Sequence, residues 1–504
     1  MRTPPQSGQS GTPGTVCASF WGMNKTIRRA SVFCLLLVLA LLVRVTWVQA
    51  YQGQALADDK NNRRNLIGQY ENPLGNIIVG GQAITGSTKS GGKDFGYKRT
   101  YVDGPLYAPI TGYSSQAYGT TMLEGVYKNI LNGSDTRLKT VMDTLTNKRA
   151  DPGNVLTTID RDVQKTAYDA LQGKQGAAVA IDPATGEILA VVNNPSYDPG
   201  RITGANDEEA WKELSADQGK AMENVALRKP QAPGSTFKLV TLAAAIENGL
   251  VTSIDAPTGI PAPYTIPGTR TNLPSEAGDA ACNNVSARTA LKLSCNNVFA
   301  ELASKLGQDK MRETAEKLGF NVQIDTPVRT NPSSKYPTKK MSVDQVAQTG
   351  IGQFDVQATP LQIAMVTAAI ENGGKLVAPH MVSEVTDSDG NTLESFKNPK
   401  SQEVMSAKTA SMLQDAMRTV ATEGGGKPAQ VAGAEVGGKT GTAQRGVNNN
   451  IPPLAWFTSY GKSGGKQIAV AVMIENSDTD RSEIGGGKLA APIAQKMMAA
   501  WLKK

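Results

Sequence analysis

The chain has 504 residues, 39% of them hydrophobic and 19% charged, with 52 Lys and Arg against 45 Asp and Glu for a net charge of +7. That length holds a sizeable core and two domains outside any anchor, and a mild cationic excess without a basic run interleaved with aromatics argues against nucleic acid as a partner. The four cysteines (Cys17, Cys34, Cys282 and Cys295) lack metal-ligand spacing and His380 is the lone histidine, which argues against a zinc centre or any other metal, suggests no cofactor, and leaves His380 a structural or surface residue rather than a triad base.

Residues 1–22 are rich in Gly, Ser, Pro and Thr and read as disordered. Met23 opens a compact pattern and is a plausible start of its own. Lys25, Arg28 and Arg29 precede an apolar run from Ala30 to Val43, interrupted by Arg44 and continued by Val45 to Ala50. About 20 apolar residues cross a bilayer, and an Arg near the outer end can snorkel. The expectation is a cytoplasmic tail over 1–29 and a single-pass signal anchor over 30–50 in the cytoplasmic membrane, with the basic flank inside and the rest extracytoplasmic. A cleaved signal peptide ending at Val48-Gln49-Ala50 is the alternative, and it exports the same residues.

Residues 51–152 form a smaller N-terminal domain without a catalytic motif. They hold a β-like run, Asn76-Ile77-Ile78-Val79, glycine turns at Gly80-Gly81 and Gly91-Gly92, and a helix end over 142–148 before a boundary at Ala150–Asn154. The second domain, 153–504, opens with a strand and an amphipathic helix starting near Asp160. Two apolar runs, Ala177–Asp182 and Ile188–Val192, flank Pro183-Ala184-Thr185-Gly186 and read as a hairpin. Ile468–Ile474 reads as a buried strand and Ile493–Leu502 as a final helix. Strands from both ends with helices between them predict an α+β fold, one antiparallel sheet packed against helices.

Three short motifs lie in the second domain. Ser235-Thr236-Phe237-Lys238 follows Pro233-Gly234 and opens an almost wholly apolar helix running to about Gly249. The same Ser-to-Lys spacing recurs at Ser90/Lys93, Ser459/Lys462 and Ser463/Lys466, so context singles out Ser235. A Ser at a buried helix N-terminus has free N–H groups beside it for an oxyanion. A desolvated Lys one turn on has a lowered pKa and can take the Ser proton. An N-capping Ser with a snorkelling Lys fits this motif alone equally well. Ser294-Cys295-Asn296 offers a hydroxyl to relay a proton between Lys238 and a leaving amine, and an amide for Lys238 and a substrate carbonyl; alone it reads as a turn. Lys439-Thr440-Gly441-Thr442, after Gly437-Gly438, suits an edge strand beside which a peptide adds as an extra strand, the glycines admitting a close backbone. Lys439 supplies charge, the Thr440 and Thr442 hydroxyls a carboxylate site, and the Thr442 N–H a second oxyanion donor; alone it reads as a surface turn.

Together, in this order, the motifs resemble the penicillin-binding protein and serine β-lactamase superfamily over about residues 155–504. Flanking text such as AAVAIDPATGEILAVVNNPSYDP and GIGQFDVQATPLQIAMVTAAIENGG carries the likeness further. Within it the chain resembles the monofunctional class B transpeptidases, and through Asn72–Gly81 the actinobacterial penicillin-binding protein A family. The resemblance implies a β-lactamase/transpeptidase-like fold behind a pedestal or dimerisation-type domain. It implies that Ser235 attacks the D-Ala-D-Ala end of a stem peptide, expels D-Ala and passes the acyl group to an amine of a neighbouring stem, with covalent inhibition by β-lactams. The segment between anchor and second domain is too short for a glycosyltransferase, so chain polymerisation would fall to a partner such as a SEDS-family glycosyltransferase. Two other readings stay open: a hydrolase (D,D-carboxypeptidase or β-lactamase), and a non-enzymatic β-lactam sensor or scaffold.

Cys282 and Cys295 fall on the exported side, thirteen positions apart. A disulfide there would tie the 282–295 segment to the site wall, worth about 3 kcal/mol in the chain-entropy model; two free buried thiols are the alternative.

Overall fold

In the computed structural model the described residues are 18–52, 67–91, 94–140, 143, 149–216, 220–328, 334–396, 399–446 and 449–503, with the backbone alone for 18–24. They fall into two compact units, 1–69 and 70–504. The first contains helix α1, Ala18–Trp47, continued by a π-helical turn, Val48–Gln52. Over 25–52 this helix is long and apolar enough to cross a membrane. It begins well before the 30–50 span and so shortens the tail expected over 1–29. Past Pro13 and Gly14 the only breaker before the apolar run is a lone Gly22, which a helix tolerates.

The second unit holds two five-stranded sheets. Strand β1 (Ile77–Val79) turns through Gly80 and Gly81, both at positive φ, into β2 (Gln82–Ala83), as a two-residue hairpin requires. Strand β3 (Asn154–Thr157) leads to helix α2 (Arg161–Leu171), whose first turn is capped by the Asp160 carboxylate accepting from the Asp162 and Val163 amides. The hairpin β4 (Lys174–Ile181) and β5 (Ile188–Asn194) follows. Next come helices α3 (Lys238–Glu247), α4 (Ala287–Leu293), α5 (Asn296–Lys317, broken at Gly307) and α6 (Pro360–Glu371). Strands β6 (Val382–Thr386) and β7 (Thr392–Ser395) precede helix α7 (Ala407–Glu423). The chain closes with β8 (Glu435–Arg445), β9 (Ile451–Ser463), β10 (Lys466–Ser477) and α8 (Ala491–Leu502).

The larger sheet runs β8-β9-β10-β4-β5, antiparallel throughout, so strands from the two ends of the second domain meet where β10 pairs β4. Both faces are covered. Ala178, Ala180, Val470 and Val472 pack with α2 and α8, while Ala177, Val179, Ala471 and Met473 join the helical core on the other face. Burial on both sides explains why these strands read as continuous apolar runs rather than alternating ones. The smaller sheet runs β7-β6-β3-β1-β2. There β3 lies between β1, parallel to it, and β6, antiparallel to it. The boundary expected at 152/153 therefore stands one residue before a strand that stitches the two regions together. The helix end expected over 142–148 lies, apart from Asp143, outside the described residues.

Candidate active site

The mainly apolar run 239–245 is buried throughout, and Lys238 at the first position of α3 is drawn in with it, fully buried. Just ahead, Gly234–Phe237 form a 3-10 turn, so Ser235 sits one tight turn before the α-helix rather than in it. Gly234 makes this possible. Its φ is +52°, its N–H donates to the Gly352 carbonyl at 3.1 Å, and a Cβ on it would fall 2.7 Å from the Thr442 carbonyl oxygen. The Ser235 turn is clamped between β8 and the 350–353 loop.

Ser294 ends α4 in the left-handed region, φ 58° and ψ 38°. A non-glycine residue there costs about 1–2 kcal/mol. The strained turn lets α5 begin at Asn296 and faces both polar side chains toward Lys238. The Lys238 Nζ donates to the Ser294 carbonyl (2.7 Å), to Ser294 Oγ (3.2 Å) and to Asn296 Oδ1 (2.7 Å), with the Phe299 ring 5.3 Å away. From the opposite wall, Lys439 Nζ donates to the same Ser294 Oγ at 3.0 Å and to the Thr440 carbonyl at 2.9 Å. One hydroxyl thus joins two buried lysines. Burial, then the charge of Lys439, holds Lys238 far below the ordinary lysine range. Burial brings Lys439 down to about 8, with Glu276 pulling the other way. Among the described residues no hydrogen bond links Ser235 Oγ to Lys238.

Strand β8 is the outer edge of its sheet, as the third motif implied. Its glycines act differently from the expectation. A Cβ on Gly437 would strike the Tyr460 ring at 2.3 Å and one on Gly438 the Phe457 ring at 2.7 Å, both from the adjacent strand β9. Gly441 admits the backbone of the Ser235 turn, with Pro233 O 3.2 Å from its added Cβ. Trp456, fully buried and opposite Gly441, donates its indole N–H to Ala232 O at 3.0 Å and fixes the same turn from behind. Nothing local marked Trp456 or Gly352 for this work, although Gly352 lies in the flanking text singled out above.

Cys282 and Cys295 are joined, with Cα atoms 5.6 Å apart. His380 is buried; its ring Nδ1 lies 3.3 Å from Ala378 O and its backbone bonds Gly186 and Ile188, a structural place away from the motifs. The structure brings Ser294, Asn296, Lys238 and Lys439 into one hydrogen-bonded group, with the Ser235 turn docked on Thr442.

The family description "Penicillin binding protein transpeptidase domain" matches residues 176–499, and "Penicillin binding protein A dimerisation domain" matches 74–155. The peptidoglycan D,D-transpeptidase PbpA of Mycobacterium tuberculosis is 34% identical over 501 residues, covering 95% of this chain and 99% of the relative. Its counterpart in Mycolicibacterium smegmatis is 34% identical over 505 residues, covering 96% and 100%. Among solved structures, penicillin-binding protein A from M. tuberculosis as a ceftriaxone acyl-enzyme has a TM-score of 0.79 at 33% identity, covering 86% of this chain and all of that one. Its penicillin G acyl-enzyme has a TM-score of 0.76 at 34% identity, covering 85% of this chain and 99% of that one.

Proposed function

Because the chain belongs to the penicillin-binding protein transpeptidases, we propose that Ser235 is the nucleophile and Lys238 its general base. The protein is a peptidoglycan D,D-transpeptidase, a serine acyltransferase that β-lactams acylate. The observation that carries the residue assignment is the Ser294 hydroxyl held between two buried lysines.

Neutral Lys238 gives up one of its three partners to accept the Ser235 proton, and Oγ attacks the carbonyl of the penultimate D-Ala. Negative charge builds on that carbonyl oxygen, which the Ser235 and Thr442 amides receive. Ser294 passes a proton to the departing D-Ala nitrogen, a route that its contact with both lysines supports. Lys439, Thr440, Gly441 and Thr442 hold the donor along the β8 edge, with the D-Ala carboxylate on the two threonine hydroxyls. Asn296 holds Lys238 and the donor amide. An amine of a neighbouring stem peptide then takes the acyl group.

The apolar α1 anchors the chain in the cytoplasmic membrane. Lys25, Arg28 and Arg29 at its N-terminal side favour an extracytoplasmic catalytic region. The region up to 152 serves as a pedestal, and a SEDS-family glycosyltransferase supplies the glycan strands.

The test is labelling of the detergent-solubilised full chain with a fluorescent penicillin, followed by intact mass. A stable one-to-one adduct, absent in Ser235→Ala, is expected. Rapid turnover of the drug would indicate a hydrolase instead, and no adduct on a folded chain would remove the enzyme reading.

A further inference from the structure

The acyl-enzyme needs an amine, and amines of ordinary basicity arrive at neutral pH as ammonium ions. Lys238 and Lys439 make the centre of the cleft an unwelcoming place for such a cation. The segment 274–282 offers a correction. It is tied to the second motif on both sides: the Asn296 amide donates to Ser275 Oγ (3.2 Å) and the Asn296 Nδ2 to the Pro274 carbonyl (2.7 Å), while Cys282 is bonded to Cys295. Between these ties stands Glu276, exposed and making no hydrogen bond or ion pair with another described residue. Its negative charge acts to raise the pKa of Lys238 and of Lys439, in each case against the larger effect of burial.

Its side of the cleft matters. The donor peptide uses the β8 edge. The leaving amine departs beside Ser294, and by microscopic reversibility the incoming amine occupies the same position. Glu276 follows directly on Ser275, whose hydroxyl accepts from the backbone amide of Asn296, two residues beyond Ser294.

We propose that Glu276 is the recognition residue for the acceptor, its carboxylate drawing the incoming primary ammonium to the face of the acyl-ester next to Ser294. The proposal rests on the transpeptidase assignment of the same site. In the transfer, the acceptor ammonium first loses one proton to solvent. Its nitrogen then forms the amide C–N bond as the ester bond to Ser235 Oγ breaks, and its second proton passes to Oγ.

The experiment measures how one acyl-enzyme partitions between aminolysis and hydrolysis, which cancels any change in acylation rate. The full chain in detergent is given an N-acyl-D-alanyl thioester as donor. The acceptor is D-alaninamide below its pKa, where it is an ammonium, or hydroxylamine, neutral at pH 8. Products are counted by mass spectrometry. An exposed carboxylate–ammonium pair is worth up to about a fivefold factor. Glu276→Gln is therefore expected to lower the D-alaninamide partition ratio about fivefold, Glu276→Lys about 25-fold, and Glu276→Asp least, with hydroxylamine unaffected in all three. Ratios within twofold of wild type in both the Gln and Lys variants would overturn the proposal. So would a fall that is equal for the two acceptors, or an effect confined to the pH profile of acylation, which would make Glu276 a counter-charge to the lysines. A wild-type chain that releases no thiol from the donor would instead sink the transpeptidase assignment, a failure visible before any variant is made.

Discussion

Gly234→Ala probes how Ser235, the proposed nucleophile, is held against the edge strand. An alanine at φ +52° costs about 1–2 kcal/mol. Its Cβ would stand 2.7 Å from the Thr442 carbonyl oxygen, 3.0 Å from the Thr442 carbonyl carbon and 3.1 Å from Ala443 Cα. These three nearest atoms are all main chain, so no side-chain rotation relieves the contact. Strand β8 is paired on its other side, Thr442 opposite Ala455, and resists displacement; overpacking of this kind costs about 1–3 kcal/mol. The sum, about 2–5 kcal/mol, should lower the thermal midpoint by several degrees while the variant still folds. The larger effect falls on chemistry. Separating Ser235 from Thr442 spreads the two amides proposed to receive the oxyanion, and a shift near 1 Å costs about 100-fold in rate. The second-order rate constant for acylation by a fluorescent penicillin, measured beside the melting curve, checks this. A destabilised variant that acylates within threefold of wild type would refute the claim that Gly234 sets the spacing between Ser235 and the edge strand.

Lys439→Met removes the cation whose charge helps to hold Lys238 down. The Lys238 pKa should rise, so less of it is neutral at a given pH, and the acidic limb of the acylation profile should move to higher pH; an unmoved limb, or one displaced downward, would contradict the proposed base. Glu371 is buried with neither carboxylate oxygen hydrogen-bonded, and desolvation raises its pKa well above the ordinary value. Its folded state prefers the proton, so the stability it costs grows as pH rises above the unfolded pKa. Glu371→Gln should therefore be more stable than wild type at pH 8, by about 1–3 kcal/mol, with the gain fading toward pH 4.5 in denaturant melts. Cys282→Ala opens the bond to Cys295 and should cost about 3 kcal/mol. Non-reducing peptide mapping of the wild type should recover the two cysteines on linked peptides, and finding them on separate ones would refute the disulfide.

Much of this was legible because its causes are local. The hairpin of β4 and β5 is two apolar runs around a Pro-Gly turn, and Asp160 is a capping residue directly before an amphipathic helix. The burial of Lys238 was readable from the apolar helix that carries it, and the pairing of Cys282 with Cys295 from compartment and spacing. What stayed hidden depends on distant partners. The place of β3 between β1 and β6 is decided by long-range register, which neither segment encodes alone. Gly437 and Gly438 looked like room for a substrate, yet they make room for Tyr460 and Phe457, whose positions follow from the β8–β9 pairing. The left-handed turn at Ser294 had no signal, because serine, unlike glycine, has no preference for that backbone region. Glu276 sits in a polar loop that resembles any other until its ties to Asn296 and Cys295 are seen.

The order of strands in the larger sheet also fixes when the enzyme comes into being. Synthesis proceeds from the N-terminus, so β4, α3 and the Ser294 turn emerge long before Glu435–Ser477. Until those last strands arrive, β4 lacks its β10 neighbour, the Ser235 turn has no Thr442 to dock on, and Ser294 has no Lys439. A stalled or clipped chain therefore carries Ser235 and Lys238 without the strand that supplies Thr442 and Lys439 to them. The same delay leaves one flank of β4 bare and able to pair with strangers, so the interval between making the first half of the sheet and the second is when a growing chain most needs protection.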